Sequence, residues 1–510
     1  MNRNCFKLRF DGRRRMLVAV AETVSGRSKA KGEREGGGRR VRRAAVTVLV
    51  AALGQGCGGL AGAAGLVADP RSGTQVSATA NGTPLVNIVS PDARGLSRNG
   101  FTELNMGKPG MVLNNSVADG TSQIGGATMK NPQLQQSAQG ILLQATGTSA
   151  SSLQGTLEVF GKRADVLVAN PNGISVNGMT TLNANGLTLS TGQVRPQADG
   201  SIRLEVTGGQ LTVGAQGLNT DGLSSVDLVA RGISVQGPVG PAAGGATDVQ
   251  VVAGVNSFDP STRQGTVLGG GGVGAVPAQA IAVTGAGSMY GSQVRLVATE
   301  AGLGVKSEGL IRSDQDVVIS ANGDLTLAHS VAGGSTQLQA SNATLGDGVS
   351  GHGVSAQGAF SGNFSGDVAL NNDVVAQGVQ LSGNSLSANH ARLLDNGLGA
   401  SPAVAVNVAQ GYNIHGTLSV VDAGTQQVVP GAVVRWNAQS GKLEAYSAGG
   451  TLLSNVSMVS DAGALSSGTL SVQAGSLANQ GGQLVSQGAS SYAVKGMLDN
   501  AGSVGAGGSL

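Results

Sequence analysis

At 510 residues the chain is long enough for three or four ordinary domains, but 85 Gly, 12% charged and 2% aromatic residues exclude wide cores built from large side chains. One Trp (Trp436), four Tyr and seven Phe, with Val, Leu, Ile, Ala, Ser, Thr and Asn in alternation, fit a thin repetitive β architecture better than disorder. The net charge of +3 averages two unlike segments: residues 1–68 carry 14 Lys/Arg against 4 Asp/Glu, leaving 18 against 25 beyond them. A nucleic-acid partner therefore loses its electrostatic support.

The first element is a leader. Arg39-Arg40-Val41-Arg42-Arg43 precedes an almost wholly apolar run, Ala44 to Leu53. This is the pattern of a signal-peptide h-region, too short to span a bilayer as a helix. Ala61-Gly62-Ala63 offers a small-x-small cleavage site before Ala64, and Leu66-Val67-Ala68 a poorer one. Cys57 follows Leu53-Gly54-Gln55-Gly56, with Leu one position too far away and Gln where a small residue belongs for an acylated lipoprotein cysteine. Cys5 and Cys57, the two cysteines, both lie in the leader, so the mature chain is expected to form no disulfide. Regular packing alone must then stabilise it, and it can stay unfolded in transit without being cross-linked.

From about residue 75 onward, period-2 segments such as "GSIRLEVTGGQLTVGAQG" and "QDVVISANGDLTLAHS" alternate with Gly, Asn and Asp turns. Between residues 166 and 192, Asn172-Gly173, Asn177-Gly178 and Asn185-Gly186 each read as a turn. Turn spacing alone does not separate a sandwich from a solenoid. A longer period does: the Leu-x-Asn unit at Leu477 returns at Leu498, with a looser copy at Leu394. Self-similarity near 20 residues predicts a parallel β-helix in which each coil buries its apolar face only against its neighbours. Roughly 20 coils about 4.8 Å apart predict a rod on the order of 100 Å long. Residues 237–276, with "GPVGPAAGGATD" and "LGGGGVGAV", are expected to leave the stack as loops.

Chemistry-bearing motifs are sparse. His329, His352, His390 and His415 are far apart in sequence and read as solvated loop or turn residues, so no metal site or cofactor is expected. "GGGGVG" at 269–274 lacks the strand-turn-helix context of a nucleotide site and reads as a loop. Asp314 and Asp316, near Arg312, form the tightest acidic pair. With no aromatic close in sequence, they give little support to a polysaccharide-cleaving enzyme, and no catalytic residue is assigned.

One motif is more than punctuation. Asn170-Pro171-Asn172-Gly173 matches the positional preferences of a type I turn, and by itself it needs no function. Its neighbours come in a telling order: "SRNGFTELNMGKPGMVLNNS" (97–116), "NPQL" (131–134), "GTLEVFGKRADVLVANPNGISVNG" (155–178), "LTLSTG" (187–192) and "SMYGSQVRLVATEAGLGVKSEGLI" (288–311). This series resembles the secretion, or haemagglutination activity, domain of two-partner secretion exoproteins, the filamentous-haemagglutinin-like family. "MNRNCFKLRFDGRRRMLVAVAETVSG" likewise resembles the extended signal-peptide region of very large Gram-negative exported proteins.

The resemblance implies an all-β fold: a right-handed parallel β-helix with an N-terminal cap, preceded by a cleavable extended signal peptide. It divides the chain into signal peptide (1–68), secretion domain (69–311) and β-helical repeats (312–510). It implies export by the Sec machinery, then passage through an outer-membrane β-barrel transporter with periplasmic binding domains, and an unidentified host or bacterial surface receptor. The exported protein is expected outside a Gram-negative cell, secreted or on its surface, as an adhesin-like exoprotein. Two Asn-Pro-Asn motifs are associated with secretion in this family. One is intact at Asn170, Pro171, Asn172, Gly173 and Ile174; the other falls at Asn131, Pro132, Gln133 and Leu134, where Gln133 replaces Asn but keeps an amide. The alternative is the delivery portion of a contact-dependent growth inhibition toxin whose C-terminal effector is absent from this chain, which ends in repeat style at "DNAGSVGAGGSL".

Overall fold

The computed structural model describes residues 6–11, 16–21, 65–242, 246–397, 401–437 and 442–509. The candidate cleavage residues Ala63 and Ala64 lie outside them. Contacts divide the chain into residues 1–58 and 59–510. In the first unit, Phe6–Asp11 pairs antiparallel with Met16–Ala21.

The second unit is a parallel β-helix. All its described elements are strands, and one hydrogen-bonded system joins 36 of them. Each coil contributes to three parallel faces. On one face, 13 successive parallel pairings run from Leu96–Leu104 to Ser490–Val494. At about 4.8 Å per pairing, that stack is on the order of 60 Å long, shorter than the sequence period implies. The missing length lies in a cap and in excursions that leave the coils.

Strand alternation builds the bore. Ile141, Val166, Leu187, Val226, Val249 and Val294 stand above one another in register and are all buried. The neighbouring outward positions follow no such rule. The Leu477 and Leu498 repeats pair directly, as do Asn479 and Asn500, whose side chains bond at 2.8 Å. The Leu394 copy does not join them: Leu394 pairs with Leu465 on another face.

The N-terminal cap is antiparallel. Leu66–Ala68 pairs with Leu96–Leu104, and Gln75–Ala78 with Pro84–Asn87. Ile88 and Phe101, both fully buried, join the end of the core.

Two excursions correct the sequence reading. Within 237–276, Pro238–Gly240 and Asp248–Ala253 stay in the stack as parallel strands. Asn256–Asp259 and Gln264–Val267 leave it and join Gln193–Pro196 and Ile202–Val206 in an antiparallel four-stranded sheet. That sheet exists because the coils beneath it present Leu142, Leu167, Val229 and Val252 outward. With Leu204 and Phe258 these form a second small core, removing apolar surface from water at about 25 cal/mol per Å². The other excursion falls within the segment expected to be plain repeats. Leu418–Asp422 pairs antiparallel with Val456–Ser460, and Val433–Asn437 with Lys442–Tyr446.

Candidate functional site

The Asn170 corner is a closed hydrogen-bond unit. Gly173 N–H donates to the Asn170 carbonyl at 3.1 Å, making the expected four-residue turn. Asn170 is fully buried. Its Oδ1 accepts the Asn172 backbone N–H at 3.0 Å, and its Nδ2 donates to Ser149 O and Ser151 Oγ, each at 2.9 Å. Asn172 is exposed, yet its Nδ2 reaches the Gly147 carbonyl at 2.9 Å. Pro171 is half-buried, and Ile174, inside the bore, begins the next strand. Gly173 has φ +120°, and a Cβ there would stand 3.1 Å from the Gln210 carbonyl, so this position favours glycine on two counts.

Asn131-Pro132-Gln133-Leu134 has the same construction. Leu134 N–H donates to the Asn131 carbonyl at 3.2 Å, and Gln133 N–H to Asn131 Oδ1 at 2.9 Å. The buried Asn131 Nδ2 donates to the Ile88 and Asn114 carbonyls, each at 2.9 Å. Gln133 Nε2 reaches the Asn87 carbonyl at 3.1 Å, the same type of bond that Asn172 makes. In both corners the first Asn ties its own turn to neighbouring backbone, Asn131 to two segments and Asn170 to one, and the third residue ties the turn to a further carbonyl. The extra methylene of Gln changes the reach and keeps the donor.

Three buried residues support the same region and were not singled out from sequence. Asn115 Oδ1 accepts from Ala138 N–H at 2.7 Å, while its Nδ2 donates to the Ala138 and Lys162 carbonyls. Asn99 spans Ser97 and Leu142. Glu158, 3% exposed, accepts from Ser122 Oγ, Gln123 N–H and Ile124 N–H at 2.7–2.9 Å, holding the hairpin of Gly120–Ser122 and Gly126–Thr128. The signal was present in "VLNNS" and "LEVF": polar residues interrupting apolar strands are buried only when bonded.

The other Asn-Gly pairs behave differently. Asn185-Gly186 lies inside Ala184–Ser190 and makes no turn; Asn183, with φ +58°, takes that corner and donates to the Val159 and Gly161 carbonyls. Asn177-Gly178 is an irregularity within Ile174–Leu182. The side-chain groups remote in sequence also meet. His329, on a strand rather than a loop, stacks on His352 with ring centroids 4.9 Å apart. His352 Nδ1 lies 2.9 Å from Asp347, and His390 Nδ1 2.8 Å from Asp461. His415 also ends a strand. Among the described residues no group of three His, Cys, Asp or Glu could hold a metal ion. Tyr290 donates to Asp314 at 2.8 Å beneath the Arg312 guanidinium, so the acidic pair does have an aromatic neighbour. Coil stacking brings His329 to His352 and Tyr290 to Asp314, each about one period apart, and His390 to Asp461 across the second excursion, 71 residues away.

A three-faced parallel β-helix with an antiparallel cap and two clamped Asn-Pro corners defines a class of exported solenoid domains. The family model for the TPS secretion domain matches residues 64–327, and that for the extended signal peptide of type V secretion systems matches residues 1–51. The chain belongs to the TPS secretion domain family. It is 44% identical over 340 residues to the filamentous hemagglutinin of Bordetella pertussis (strain Tohama I), covering 64% of this chain and 9% of that protein. It is 39% identical over 287 residues to the tRNA nuclease CdiA of Escherichia coli O6:K15:H31 (strain 536), covering 56% of this chain and 9% of that one. The crystal structure of the filamentous hemagglutinin secretion domain is similar, with TM-score 0.50 and 37% identity over 68% of this chain and 99% of that one. The chain thus spans about a tenth of the length of these curated relatives.

Proposed function

We propose that this chain is an adhesin-like exoprotein whose N-terminal domain is its own export signal. Sec would carry it to the periplasm, and an outer-membrane β-barrel transporter with periplasmic binding domains would pass it to the cell surface or medium. Residues 1–68 are read as the leader segment, with Ala63 and Ala64 as the candidate cleavage residues within it, residues 69–311 as the secretion domain and 312–510 as the displayed rod. The observation that carries the reading is the family match over 64–327, a segment that contains both clamped corners. The exported rod acts by binding, not catalysis. Folding supplies a physical drive: the first coils to emerge bury their apolar faces only on one another, so each added coil opposes backsliding.

The same domain also begins the CdiA relatives, which keeps the toxin-delivery reading as the second one. In that case an effector would follow residue 510 in the intact protein. Co-expression with a candidate transporter, with the medium and cell surface assayed for wild type and Asn170→Ala/Asn172→Ala, tests the export reading. Transporter-dependent appearance of wild type outside the cell, with the variant retained, supports it. Export without the transporter overturns it.

A further inference from the structure

The face whose N-terminal coils lie under the four-stranded sheet changes character further along the rod. In register above Val318 stand Gln337, Ser361, Gln380, Ala405, Ser471 and Ser491. Beside them, above Ser320, stand Gln339, Asn363, Ser382, Asn407, Gln473 and Ala493. Neither column contains a charged residue. Of their six amide side chains, those of Gln337, Gln339, Gln380, Asn407 and Gln473 are exposed and have no hydrogen-bond partner among the described residues, and that of Asn363 accepts only from Ser382 Oγ.

The corner amides of these coils do the opposite. Asn342 accepts from Asp367 N–H, Asn372 from Gly348 N–H, and Asn384 donates to Asp367. The corner amides are consumed in holding the coils together, and the face amides are not. A furrow of about 400 Å³ follows the second column across five strands, from Asn363 past Ser382, Asn407 and Gln473 to Lys495. Five strands about 4.8 Å apart give it a length on the order of 20 Å.

We infer that this furrow is a binding site for a neutral, linear polysaccharide. Each amide offers a donor and an acceptor on one planar edge, which suits the paired hydroxyls of a sugar ring, and a polymer of like units meets them repeatedly along the column. An anionic glycan would find only Lys495 to pair with. A peptide would find the first four of these strands paired on both sides, with a free edge only at the last, Ser490–Val494, and no exposed apolar side chain larger than Ala493 on the columns to anchor it. A second copy of the chain could match amides with amides, but its flat face would leave the furrow unfilled. The inference rests on reading the exported rod as a binding protein. Its test uses the purified full chain, so failure to bind and failure of export are read separately.

Affinity electrophoresis of the purified chain in gels containing dextran, laminarin or galactomannan, with heparin and polygalacturonate as anionic controls, provides the test. Retardation by at least one neutral polymer is expected, insensitive to added salt. Asn363→Ala/Asn407→Ala/Gln473→Ala should weaken it roughly tenfold or more with an unchanged circular dichroism melt, since these side chains are exposed. Gln216→Ala, in an exposed turn residue remote from the furrow, should leave it unchanged. Absence of retardation by all three neutral polymers overturns the inference, as does full retardation of the triple variant or salt-sensitive binding of the anionic polymers alone. Sedimentation velocity covers the remaining outcome: a concentration-dependent dimer abolished by the triple variant, without glycan binding, assigns the furrow to self-association and overturns it too.

Discussion

Arg231 holds Glu300, 69 residues away in sequence, through two hydrogen bonds of 2.8 and 3.0 Å, with its side chain 4% exposed. The same guanidinium donates to the Val273 and Gly274 carbonyls of the Gly-rich loop. A Cβ at Gly272 would fall 2.1 Å from Arg231 Cζ. Gly272 therefore lets the loop lie flat over a buried cation, whereas a Cβ at Gly269, Gly270 or Gly271 would meet no neighbour. Arg231→Gln and Gly272→Ala should each release it, and limited proteolysis should cut between residues 268 and 279 roughly tenfold faster than in wild type. Equal cleavage rates would refute the latch.

The two Asn of the intact corner should separate. Asn170→Ala strips a buried turn of four bonds and leaves Ser149 O and Asn172 N–H without partners, a loss of about 1–3 kcal/mol. Asn172→Ala removes two bonds of an exposed side chain, to the Gly147 carbonyl and to Asn170 Oδ1, while Asn170 Oδ1 keeps the Asn172 backbone N–H, so it should cost under about 1 kcal/mol. Urea unfolding of the purified variants measures both. If export follows this order, the corner acts through folding; if Asn172→Ala blocks export while stability is kept, the exposed amide is itself read by the transporter.

Gln133→Asn tests the departure from the family's motif. The shorter side chain must draw in to reach the Asn87 carbonyl, so stability should change by less than about 1 kcal/mol, and secreted yield should stay within about twofold. A several-fold gain in yield would mean that Gln133 weakens the signal.

Asp69 predicts how the cap responds to acid. Hydrogen bonds from the Arg71 side chain and backbone, then from Thr146, hold its carboxyl well below the usual carboxylate range. The native state therefore binds fewer protons than the unfolded chain. Its stabilising contribution is complete above the unfolded value of about 4 and is lost as pH falls toward the lowered native value. Hydrogen exchange in Leu66–Ala68 and Leu96–Leu104 should accelerate below pH 4 relative to central coils. Asp69→Asn should remove that difference.

Tyr412 is fully buried in the bore, and its hydroxyl has no hydrogen-bond partner among the described residues. Tyr412→Phe should raise stability by about 1 kcal/mol, since it deletes an unsatisfied polar atom and keeps the ring. A fall in Tm would reveal a partner for the hydroxyl.

The architecture was largely legible in the chain because a solenoid repeats one local solution. Period-2 runs such as Val317–Ala321, Gly-rich corners and the Leu477/Leu498 spacing each follow from a single coil and its neighbour. The corner at Asn170 was legible for the same reason, since a turn is encoded by four adjacent residues. Asn185-Gly186 was misread because the stack absorbs the dipeptide as a bulge: Ala184 pairs with Ala164 and Leu187 with Val166 on one side, with a register shift between them, while Gly186 pairs with Ser225 on the other. The two excursions were missed because alternation looks alike in a coil strand and in an antiparallel hairpin.

What the sequence by itself determined is the kind of chain: an exported leader, a disulfide-free repeat and an ordered series of family motifs, each local or periodic. Only the tertiary structure decided which polar side chains are consumed and which remain available. Asn170, Asn131, Asn115 and Glu158 are spent inside the fold, while the side chains of Gln380, Asn407 and Gln473 have no partner among the described residues on one face. The physical reason is stacking: the partner of a side chain in a β-helix lies one coil away, at a separation that varies with every excursion and cannot be counted along the chain.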